Sequence, residues 1–559
     1  MSILVCELAR KGKLLVGEPY FEGGVPVVVD RKGAGEASVG DLVVLRLGRG
    51  RARLERVLGA AGRIEAVLEG VLWHEGARRP HPPLPPLSPD DEPGRVDLRH
   101  LYAFTIDPEG AKDFDDALTF QPEDGGGVRA WVHIADVSAF VPAGSPLDRD
   151  AAERGVSVYV PGRVAPMLPP ELSDDLCSLR PHQDRRCVTV EIPFDADLEP
   201  GRPRFYRSLI RSRERLTYGH AQAILAGDER SVDELAEALR LAERVSRALR
   251  DRRFARGALR VEGREVAFAF DGEGGVERAW IEGEPLAHML VEELMIAANE
   301  AVAELLAGRR REALYRVHEQ PDPQSVELLL AKLTDLEVPT PPTPDHLSPA
   351  DAARLAAVAS ERVTTYVTRS GRGEEAFPAL VLRALKQARY DPRNLGHSGL
   401  ASRAYCHFTS PIRRYPDLVV HRALLRELGV LDVEPPADLP ELGDSTSASE
   451  RAAAEIEYRA DDLCLAWLLE RRLFEDGWEA TFEGEITGAI GSGLFVRFDG
   501  VFEGYLPARR LPGDYFELSP LGTALVGRRS GLAYRLGDGI EVKVVELRRW
   551  EGKVELGLA

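Results

Sequence analysis

Cysteine is scarce in this 559-residue chain, and long apolar runs are missing. The five cysteines are scattered and form no Cys-x-x-Cys pair, which argues against a disulfide framework or a structural zinc site. No apolar run approaches the ~20 residues that a membrane-spanning helix needs, and the first residues lack the pattern of a secretory signal. We therefore expect a cytoplasmic protein with no membrane contact, and a monomer is the simplest assembly.

Positive charge is also in deficit, since the formal net charge is −19 at pH 7. A phosphate backbone attracts positive surface, so this average argues against nucleic acid as a partner. Arginines nevertheless cluster at 46–53, at 413–414 and at 509–510. A basic channel inside an acidic shell is compatible with both observations.

Turn residues and apolar periodicity divide the chain into four parts. Short extended runs predict a small β-barrel of the OB or cold-shock kind at 1–58, with a winged helix as the alternative. Residues 59–95 predict a helix followed by a proline-rich linker. Residues 96–473 alternate strands with long helices, as in one large α+β domain. Residues 474–559 return to strands and predict a second small β-barrel.

Within these parts, individual elements are predicted by their apolar spacing. Predicted helices cover 59–76, 231–250 and 286–306, and predicted strands near the C-terminus cover 481–486, 493–498 and 540–545.

Four aspartates fall within ten residues, between strand-like apolar flanks, in the segment 105–118. They are Asp107, Asp113, Asp115 and Asp116. Buried carboxylates repel one another and lose hydration, so a cation is needed to hold them together. Hard oxygen ligands at this density favour Mg²⁺, and two such ions are a common device for cleaving phosphodiesters. A solvated acidic turn is the alternative, whereas a calcium loop would need a different spacing of acidic residues and glycine.

A second distinctive segment, 405–422, contains an arginine pair. Thr409 or Ser410 is suited to cap a helix that begins near Pro411. The positive end of that helix and Arg413 would then point toward an anion, such as a phosphate in its transition state. A surface arginine pair beside a buried tyrosine is the alternative.

Together these two segments, TIDPEGAKDFDDALTF and YCHFTSPIRRYPDLVVHR, resemble the catalytic RNB domain of the ribonuclease II and ribonuclease R family. Supporting stretches follow in the expected order, including WVHIADVSAFV, VEELMIAAN and NLGHSGLA. The segment GEITGAIGSGLFVRFDGVFEGYLP resembles an S1-type RNA-binding barrel. The resemblance covers 96–559 well and 1–58 loosely.

The resemblance implies processive, Mg²⁺-dependent hydrolysis of single-stranded RNA from a free 3′ end, releasing nucleoside 5′-monophosphates, with Mn²⁺ as a possible substitute. By the family pattern, Asp107 and Asp116 anchor the metal and Asp113 assists them. Asp115 positions the attacking water, and Arg413 matches the catalytic arginine.

Further residues are assigned to RNA by the same resemblance. Tyr159 matches an aromatic residue that stacks on the terminal base, Tyr218 matches another tyrosine that contacts the nucleotide, and Glu457 matches a carboxylate near the terminal sugar. Stacking suits an enzyme that tolerates any sequence, because every base has a π-face. A second base-clamping aromatic is replaced by Val261, which implies a one-sided clamp.

In the C-terminal barrel, Phe495 and Phe498 lie on one predicted strand with Arg497 between them. We expect both phenylalanines on one face of the strand and Arg497 on the other. One face must fill the barrel, so either phenylalanine is a candidate core residue. In the S1-type pattern, Phe495 is the one that faces RNA.

Two alternative functions remain at this stage. A catalytically inactive RNA-binding relative would be expected to lose metal aspartates, and all four are present. A different metal-dependent phosphodiesterase, acting on DNA or cutting internally, shares the same carboxylate chemistry.

Overall fold

The computed structural model describes residues 3–30, 37–48, 50–84, 94–260, 265–272, 274–281, 283, 286–344 and 346–559. Val261 lies outside these residues, as does the second half of the proline-rich linker. Among the helices in the described ranges, none has the length and apolar character that crossing a bilayer requires.

The N-terminal strands form a five-stranded sheet in the order β3-β2-β1-β4-β5. They are β1 (Ile3–Lys11), β2 (Leu14–Pro19), β3 (Val27–Val28), β4 (Asp41–Arg46) and β5 (Arg53–Ala60). Neighbouring strands are antiparallel, and a parallel bridge between Val29 and Ala52 joins the end of β3 to the start of β5. This connectivity is that of an OB-type barrel. Unlike in the winged-helix alternative, no helix separates these strands in the described part of 3–60.

Strand β4 is apolar on both faces because both faces are covered. Val43 and Leu45 point into the sheet's own core, whereas Leu42 packs with Ala66 of helix α1 (Ile64–His74). The helix predicted over 59–76 is therefore confirmed, with shorter bounds. It connects the barrel to the rest of the molecule.

After α1, the first half of the linker runs along helix α2 (Pro146–Arg154). Arg154 donates a hydrogen bond to the carbonyl oxygen of Arg79 (3.0 Å), and His81 Nδ1 lies 3.3 Å from the carboxylate of Asp150. The extended chain is thus held by polar contacts with a neighbouring helix.

The central region contains twelve strands within its described residues. They are β6 (Val96–Asp97), β7 (Ala103–Asp107), β8 (Asp116–Pro122), β9 (Val128–Ala135), β10 (Val158–Val160), β11 (Arg163–Ala165), β12 (Asp184–Phe194), β13 (Arg204–Thr217), β14 (Val266–Phe270), β15 (Val276–Ile281), β16 (Tyr315–Val317) and β17 (Arg389–Asp391). Six of them form the main sheet, in the order β12-β9-β8-β7-β13-β6. Because β12 also pairs with β13, the strands from β7 to β13 in this sheet close into a ring.

Helices cover the sheet on both sides. The helices of this region are α3 (Tyr218–Ala226), α4 (Asp233–Ala255), α5 (Leu286–Gly308), α6 (Pro323–Asp335), α7 (Pro349–Ser370), α8 (Ala376–Arg383), α9 (Tyr415–Glu427) and α10 (Leu439–Asp476), of which α6, α7 and α8 pack in a separate apolar cluster with α10. On β9, Val132 and Ile134 face the core beneath α4 and α5, while Trp131 and Ala135 face a second core that includes Leu418 of α9. Burial on both faces explains why β9 is an almost continuous apolar run. Helices α4 and α5 confirm the predictions for 231–250 and 286–306.

The last strands close into a second barrel, in the order β18-β19-β20-β25-β24. Its strands are β18 (Thr481–Ile490), β19 (Gly493–Phe498), β20 (Phe502–Pro507), β24 (Gly539–Arg548) and β25 (Lys553–Leu558), with a small sheet of β21 (Phe516–Leu518), β22 (Ala524–Gly527) and β23 (Ala533–Arg535) inserted. Strands β20 and β25 are parallel, so the connectivity repeats that of the N-terminal sheet. The three strands predicted in this region are confirmed.

The prediction for the faces of β19 was wrong. Residues three apart on a strand point to opposite faces, and only residues two apart share one. Phe498 is 1% exposed and fills the barrel, whereas Phe495 is 37% exposed and shares the outer face with Arg497. The expectation that Phe495 is the outward-facing phenylalanine therefore agrees with the structure.

Helix α10 links the parts of the molecule. Its buried residues Ile456, Leu463 and Leu469 belong to one apolar cluster with Leu68 of α1 and Phe502 of the C-terminal barrel. The same barrel docks on α8, where the Glu485 carboxylate accepts hydrogen bonds from the first main-chain N–H groups of that helix (2.9 and 3.1 Å).

A fully buried ionic cluster ties the main sheet together. The carboxylate of Asp136, just after β9, lies 2.7 Å from Arg95 and 2.9 Å from Arg207 of β13, and it accepts a hydrogen bond from Ser138. Burial alone would raise the pKa of Asp136, but the charges of Arg207 and Arg95 hold it below its usual value.

Replacing Asp136 by alanine removes a buried carboxylate that contacts two buried guanidinium groups. We expect the Asp136→Ala variant to lose about 3–5 kcal/mol of unfolding free energy, measured by urea denaturation. Asp124→Ala, in the exposed turn between β8 and β9, is the matched control and should change stability by less than about 0.5 kcal/mol. Equal stability of the two variants would contradict this role.

Candidate active site

The acidic segment joins two buried strands of the main sheet. Asp107 is the last residue of β7 and Asp116 the first of β8, so the antiparallel pairing brings the two strand ends together. Asp107 and Asp115 are buried, and Asp113 and Asp116 are half-buried. The predicted cluster is thus a real concentration of carboxyl groups at the edge of a hydrophobic core.

Two of these carboxylates contact residues that are distant in sequence. Asp115 Oδ1 accepts a hydrogen bond from the main-chain N–H of Ile412 (2.8 Å), and its Oδ2 lies 3.5 Å from Arg413 Nε. Asp113 accepts a hydrogen bond from the Tyr159 hydroxyl. The structure therefore brings together the acidic segment, the arginine segment and the predicted stacking tyrosine.

Burial and mutual repulsion disfavour the charged form of these acids. Burial, followed by the charge of Asp116, raises the pKa of Asp107 to about 7. Burial raises the pKa of Asp116 to about 6 and places the pKa of Asp115 well above its usual value. Asp107 Oδ2 and Asp115 Oδ2 are buried and accept no hydrogen bond. Unsatisfied oxygens of this kind are suited to a cation.

The carboxylate oxygens of the acidic segment suit a hard divalent ion, but their side chains do not surround one common position. In the described residues, no group of three or more His, Cys, Asp or Glu side chains is arranged to hold an ion. The contacts to Tyr159, Ile412 and Arg413 account for the present orientation of Asp113 and Asp115.

The helix after the arginine pair begins later than predicted. Helix α9 starts at Tyr415, not near Pro411, and neither Thr409 nor Ser410 is its cap. The main-chain N–H of Ser410 instead donates to Asp417 Oδ1 (2.8 Å), and Asp417 also accepts two hydrogen bonds from Arg414. These contacts hold the preceding turn outside the helix.

That turn places Arg413 beside the tyrosine strand. The N–H of Ser157 donates to the carbonyl oxygen of Arg413 (2.9 Å), and the N–H of Tyr415 donates to that of Gly155 (2.9 Å). Ser157 is two residues before Tyr159, so the arginine and the tyrosine are linked through the main chain.

Glu457 supports Tyr159 from the other side. Its carboxylate, on α10, accepts a hydrogen bond from the main-chain N–H of Tyr159 (2.8 Å), and burial raises its pKa. Tyr159 is therefore held by its main chain through Glu457 and by its hydroxyl through Asp113.

The other two predicted RNA contacts lie on other elements of the fold. Tyr218 begins α3, one residue after Thr217, which pairs with Asp107 across β13 and β7. Its ring lies 3.6 Å, centroid to centroid, from that of His288. Phe495 lies on the outer face of the C-terminal barrel.

Sequence reasoning missed the residues that position these groups. Asn299 of α5 accepts a hydrogen bond from the N–H of Phe408 (2.8 Å) and donates one to the Tyr405 hydroxyl. These two bonds attach the arginine segment to α5. Arg215 of β13 donates to the carbonyl oxygens of Pro108 and Glu109 (2.5 and 2.8 Å), which holds the acidic loop. The stretch VEELMIAAN contains Asn299, and no comparable signal marked Arg215.

The raised pKa of Asp107 has a consequence for stability without metal. A carboxyl group with a higher pKa in the folded protein costs stability as the pH rises from its unfolded to its folded pKa. In EDTA, we expect the unfolding free energy of the wild type to fall between about pH 4 and about pH 7. The fall should be smaller for Asp107→Asn, by on the order of 1–4 kcal/mol. Thermal unfolding across this range measures it. Asp124→Asn should parallel the wild type, and parallel curves for Asp107→Asn would refute the expectation.

Comparison with known proteins gives a consistent result. The RNB domain family matches residues 95–429. The chain is 37% identical over 483 residues to ribonuclease R of Escherichia coli, covering 83% of this chain and 57% of that protein. It is 38% identical over 472 residues to ribonuclease R of Aquifex aeolicus, covering 83% and 65%. The chain thus spans less than two thirds of the length of these relatives.

A solved structure shares the whole architecture. The structure of Mycoplasma genitalium RNase R in complex with ribose-methylated single-stranded RNA aligns with a TM-score of 0.85 at 25% identity, covering all of this chain and 89% of that one. The resemblance found in the sequence is therefore confirmed. The chain belongs to the family of RNB-domain proteins that includes ribonuclease R.

Proposed function

We propose that this protein is a hydrolytic exoribonuclease that processively degrades single-stranded RNA from a free 3′ end to nucleoside 5′-monophosphates. The observation that carries the proposal is that Arg413 contacts Asp115 and Tyr159 contacts Asp113, so that the arginine and the tyrosine meet at the acidic segment. These are the groups that the family resemblance assigns to the water, the scissile phosphate and the terminal base.

Magnesium is the proposed cofactor, with Mn²⁺ as a substitute. Asp107, Asp113 and Asp116 would hold the metal, with Asp115 beside them, and the unsatisfied buried oxygens support this assignment. Bound in a pair, such ions supply positive charge for the attacking and the leaving oxygen of a phosphodiester.

The protein's own groups are placed for complementary tasks. Asp115 is buried and held by the Ile412 N–H, so its free oxygen has a fixed direction for orienting a water molecule. Arg413 lies beside it and offers a guanidinium group to neutralise charge that develops on a phosphate. Asp115 and Arg413, 3.5 Å apart, would therefore act on neighbouring atoms of the reacting group.

Tyr159 and Glu457 are proposed to receive the 3′-terminal nucleotide. The two hydrogen bonds that fix Tyr159 orient its ring, and an oriented ring is a suitable stacking platform for any base. Tyr218 is proposed as a second contact to this nucleotide.

The outer parts are proposed to bind the rest of the strand. The N-terminal barrel would be a cold-shock-like module at 1–58, and the C-terminal barrel an S1-type module at 474–559, with the catalytic domain at 96–473 between them. Phe495, exposed on β19, supports an RNA contact on the C-terminal barrel. A cytoplasmic monomer remains our expectation.

The activity is tested with a 5′-labelled single-stranded RNA. With Mg²⁺, the wild type should shorten it stepwise to a small limit product and release nucleoside 5′-monophosphates. Asp115→Asn should slow cleavage by about 10²- to 10⁴-fold and leave RNA binding little changed. Asp124→Asn, equally conservative but exposed and distant, should cleave like the wild type.

Three other outcomes would redirect the assignment. A wild type that binds RNA but is inert with both Mg²⁺ and Mn²⁺ would be an inactive RNA-binding relative. Cleavage of circular RNA would indicate an endonuclease, and equal cleavage of DNA would indicate a phosphodiesterase that does not recognise the ribose 2′-hydroxyl.

Metal binding should depend on Arg215, which holds the loop between Asp107 and Asp113. Arg215→Lys keeps the positive charge but loses the donor pair that contacts two carbonyl groups. We expect the apparent affinity for Mg²⁺ or Mn²⁺ to fall by about tenfold or more, measured as the metal concentration that raises the unfolding temperature. Arg213→Lys, on the same strand but bonded to the main chain of Arg99, is the control and should match the wild type. An unchanged metal dependence in Arg215→Lys would rule out this positioning role.

A further inference from the structure

Tyr159 lies on strand β10, and its two neighbours along that strand are buried in an apolar core. Val158 and Val160 pack in the same cluster as Ile456 of α10. Because side chains alternate along a strand, the Tyr159 ring points to the opposite side, and there its hydroxyl contacts Asp113. The structure thus joins a residue assigned to the terminal base with a residue assigned to the metal.

The main chain of Tyr159 is held without any help from this hydroxyl. Strand β10 pairs with β11, and Tyr159 lies opposite Val164. The Tyr159 N–H donates to Glu457, and the N–H of Ser157 donates to the carbonyl oxygen of Arg413. The position of the tyrosine is therefore set by β11, by α10 and by the arginine segment.

The side chain of Asp113 has much less support. Its main chain is held on both sides, because the Ser178 hydroxyl accepts a hydrogen bond from the N–H of Phe114 (3.1 Å) and donates one to the carbonyl oxygen of Lys112 (2.7 Å). Its carboxylate, however, accepts a hydrogen bond from one group within the described part of the chain, the Tyr159 hydroxyl. Support therefore runs from the tyrosine to the aspartate.

A single hydrogen bond leaves the second oxygen of this carboxylate available. The Tyr159 hydroxyl donates to Oδ2 of Asp113, and no donor to Oδ1 is found among the described residues. A hydrogen bond to one oxygen restricts the rotation of the carboxylate and thereby the direction of the other oxygen. Metal sites commonly orient their ligands by such contacts, and loss of one weakens metal binding by about 10- to 100-fold.

We propose that Tyr159 is a positioning residue for the metal site, in addition to receiving the terminal base. Its hydroxyl holds Asp113 so that Oδ1 is free to bind Mg²⁺ or Mn²⁺, while its ring stays available for stacking. The inference rests on the proposed function, which assigns Asp113 to the metal. It adds that one side chain serves the metal and the base through two different parts of the residue.

Removal of the hydroxyl alone tests this role. Tyr159→Phe keeps the ring and loses the hydrogen bond to Asp113, and metal affinity is measured, without RNA, as the Mn²⁺ concentration that raises the unfolding temperature. We expect this concentration to rise by about tenfold or more. Tyr206→Phe is the matched control, because the Tyr206 hydroxyl donates to a carboxylate outside the acidic segment, that of Glu191 (2.8 Å). It should keep the metal dependence of the wild type.

A double variant shows whether the hydroxyl acts through Asp113. Asp113→Asn should itself weaken metal binding, and adding Tyr159→Phe to it should weaken binding by less than about twofold more. The reason is that a side chain that no longer binds the metal no longer needs to be oriented. If both substitutions keep their full effects when combined, the hydroxyl acts elsewhere and the inference is wrong.

Binding of RNA separates the hydroxyl from the ring. In an Asp115→Asn background with EDTA, a 5′-fluorescent oligouridylate of about 5 nucleotides should bind Tyr159→Phe as it binds the parent, whereas Tyr159→Ala should bind it roughly tenfold more weakly. With Asp115 intact, Tyr159→Phe should cleave slowly at limiting Mg²⁺ and approach the wild-type rate at high Mg²⁺. A purely structural role for the hydroxyl would not be reversed by metal.

Other results would overturn the inference. An unchanged Mn²⁺ requirement in Tyr159→Phe would mean that Asp113 is oriented without the hydroxyl, and the proposed function would stand. Equal losses of RNA affinity and metal affinity in Tyr159→Phe would mean that the substitution acts on the fold. If the wild type is neither stabilised by Mg²⁺ or Mn²⁺ nor able to cleave RNA with them, the proposed function fails together with the inference.

Discussion

The burial of several carboxylates at the end of one strand pair is the constraint on which this structure depends. Asp107 and Asp115 carry oxygens that are removed from water and accept no hydrogen bond. Such groups cost free energy until a positive charge or a donor reaches them. Within the described residues, Asp115 receives part of what it needs from Arg413 at 3.5 Å and from the main-chain N–H of Ile412. The remaining deficit is the physical reason to assign a cation to this place.

The rest of the central region holds those few partners in place. Asp417 fixes the turn that carries Arg413, and Asn299 supports the segment that leads to it. Glu457 fixes the strand of Tyr159 from a helix almost 300 residues away in sequence. Each of these supports is buried or half-buried, so the site is positioned by the same side chains that complete the core. Stability and site geometry are therefore not separable here.

The sequence indicated which residues meet at the candidate site better than it indicated the contacts between them. Long motifs identify Asp107, Asp113, Asp115, Asp116 and Arg413, because short-range spacing is visible in a sequence. The contact between Tyr159 and Glu457 depends on the packing of α10, which no local pattern encodes. The start of α9 was misplaced because the turn before it is fixed by the hydrogen bond from the Ser410 N–H to Asp417, a contact made across seven residues that local spacing does not reveal.

For the strands, too, the sequence predicted local features better than contacts between distant residues. Their positions in both barrels followed from turn residues and apolar runs, but the faces of β19 were misassigned because residues 495 and 498 are an odd number of positions apart. Whether each strand closes a barrel depends on pairings between distant strands, such as Val29 with Ala52. The division of the chain at 58, 95 and 473 remains a prediction.

Helix α10 is 38 residues long, or roughly 57 Å at the usual rise. One end of its apolar side packs on the C-terminal barrel, its middle carries Glu457, and α1 packs against it as well. Arg549 of the barrel region also lies 4.2 Å from the ring of Trp467 on this helix. A boundary drawn at the end of α10 would therefore cut through a shared core. The C-terminal barrel is therefore not an independent module: a protein shortened before it would expose leucines on the helix whose Glu457 holds the main chain of Tyr159.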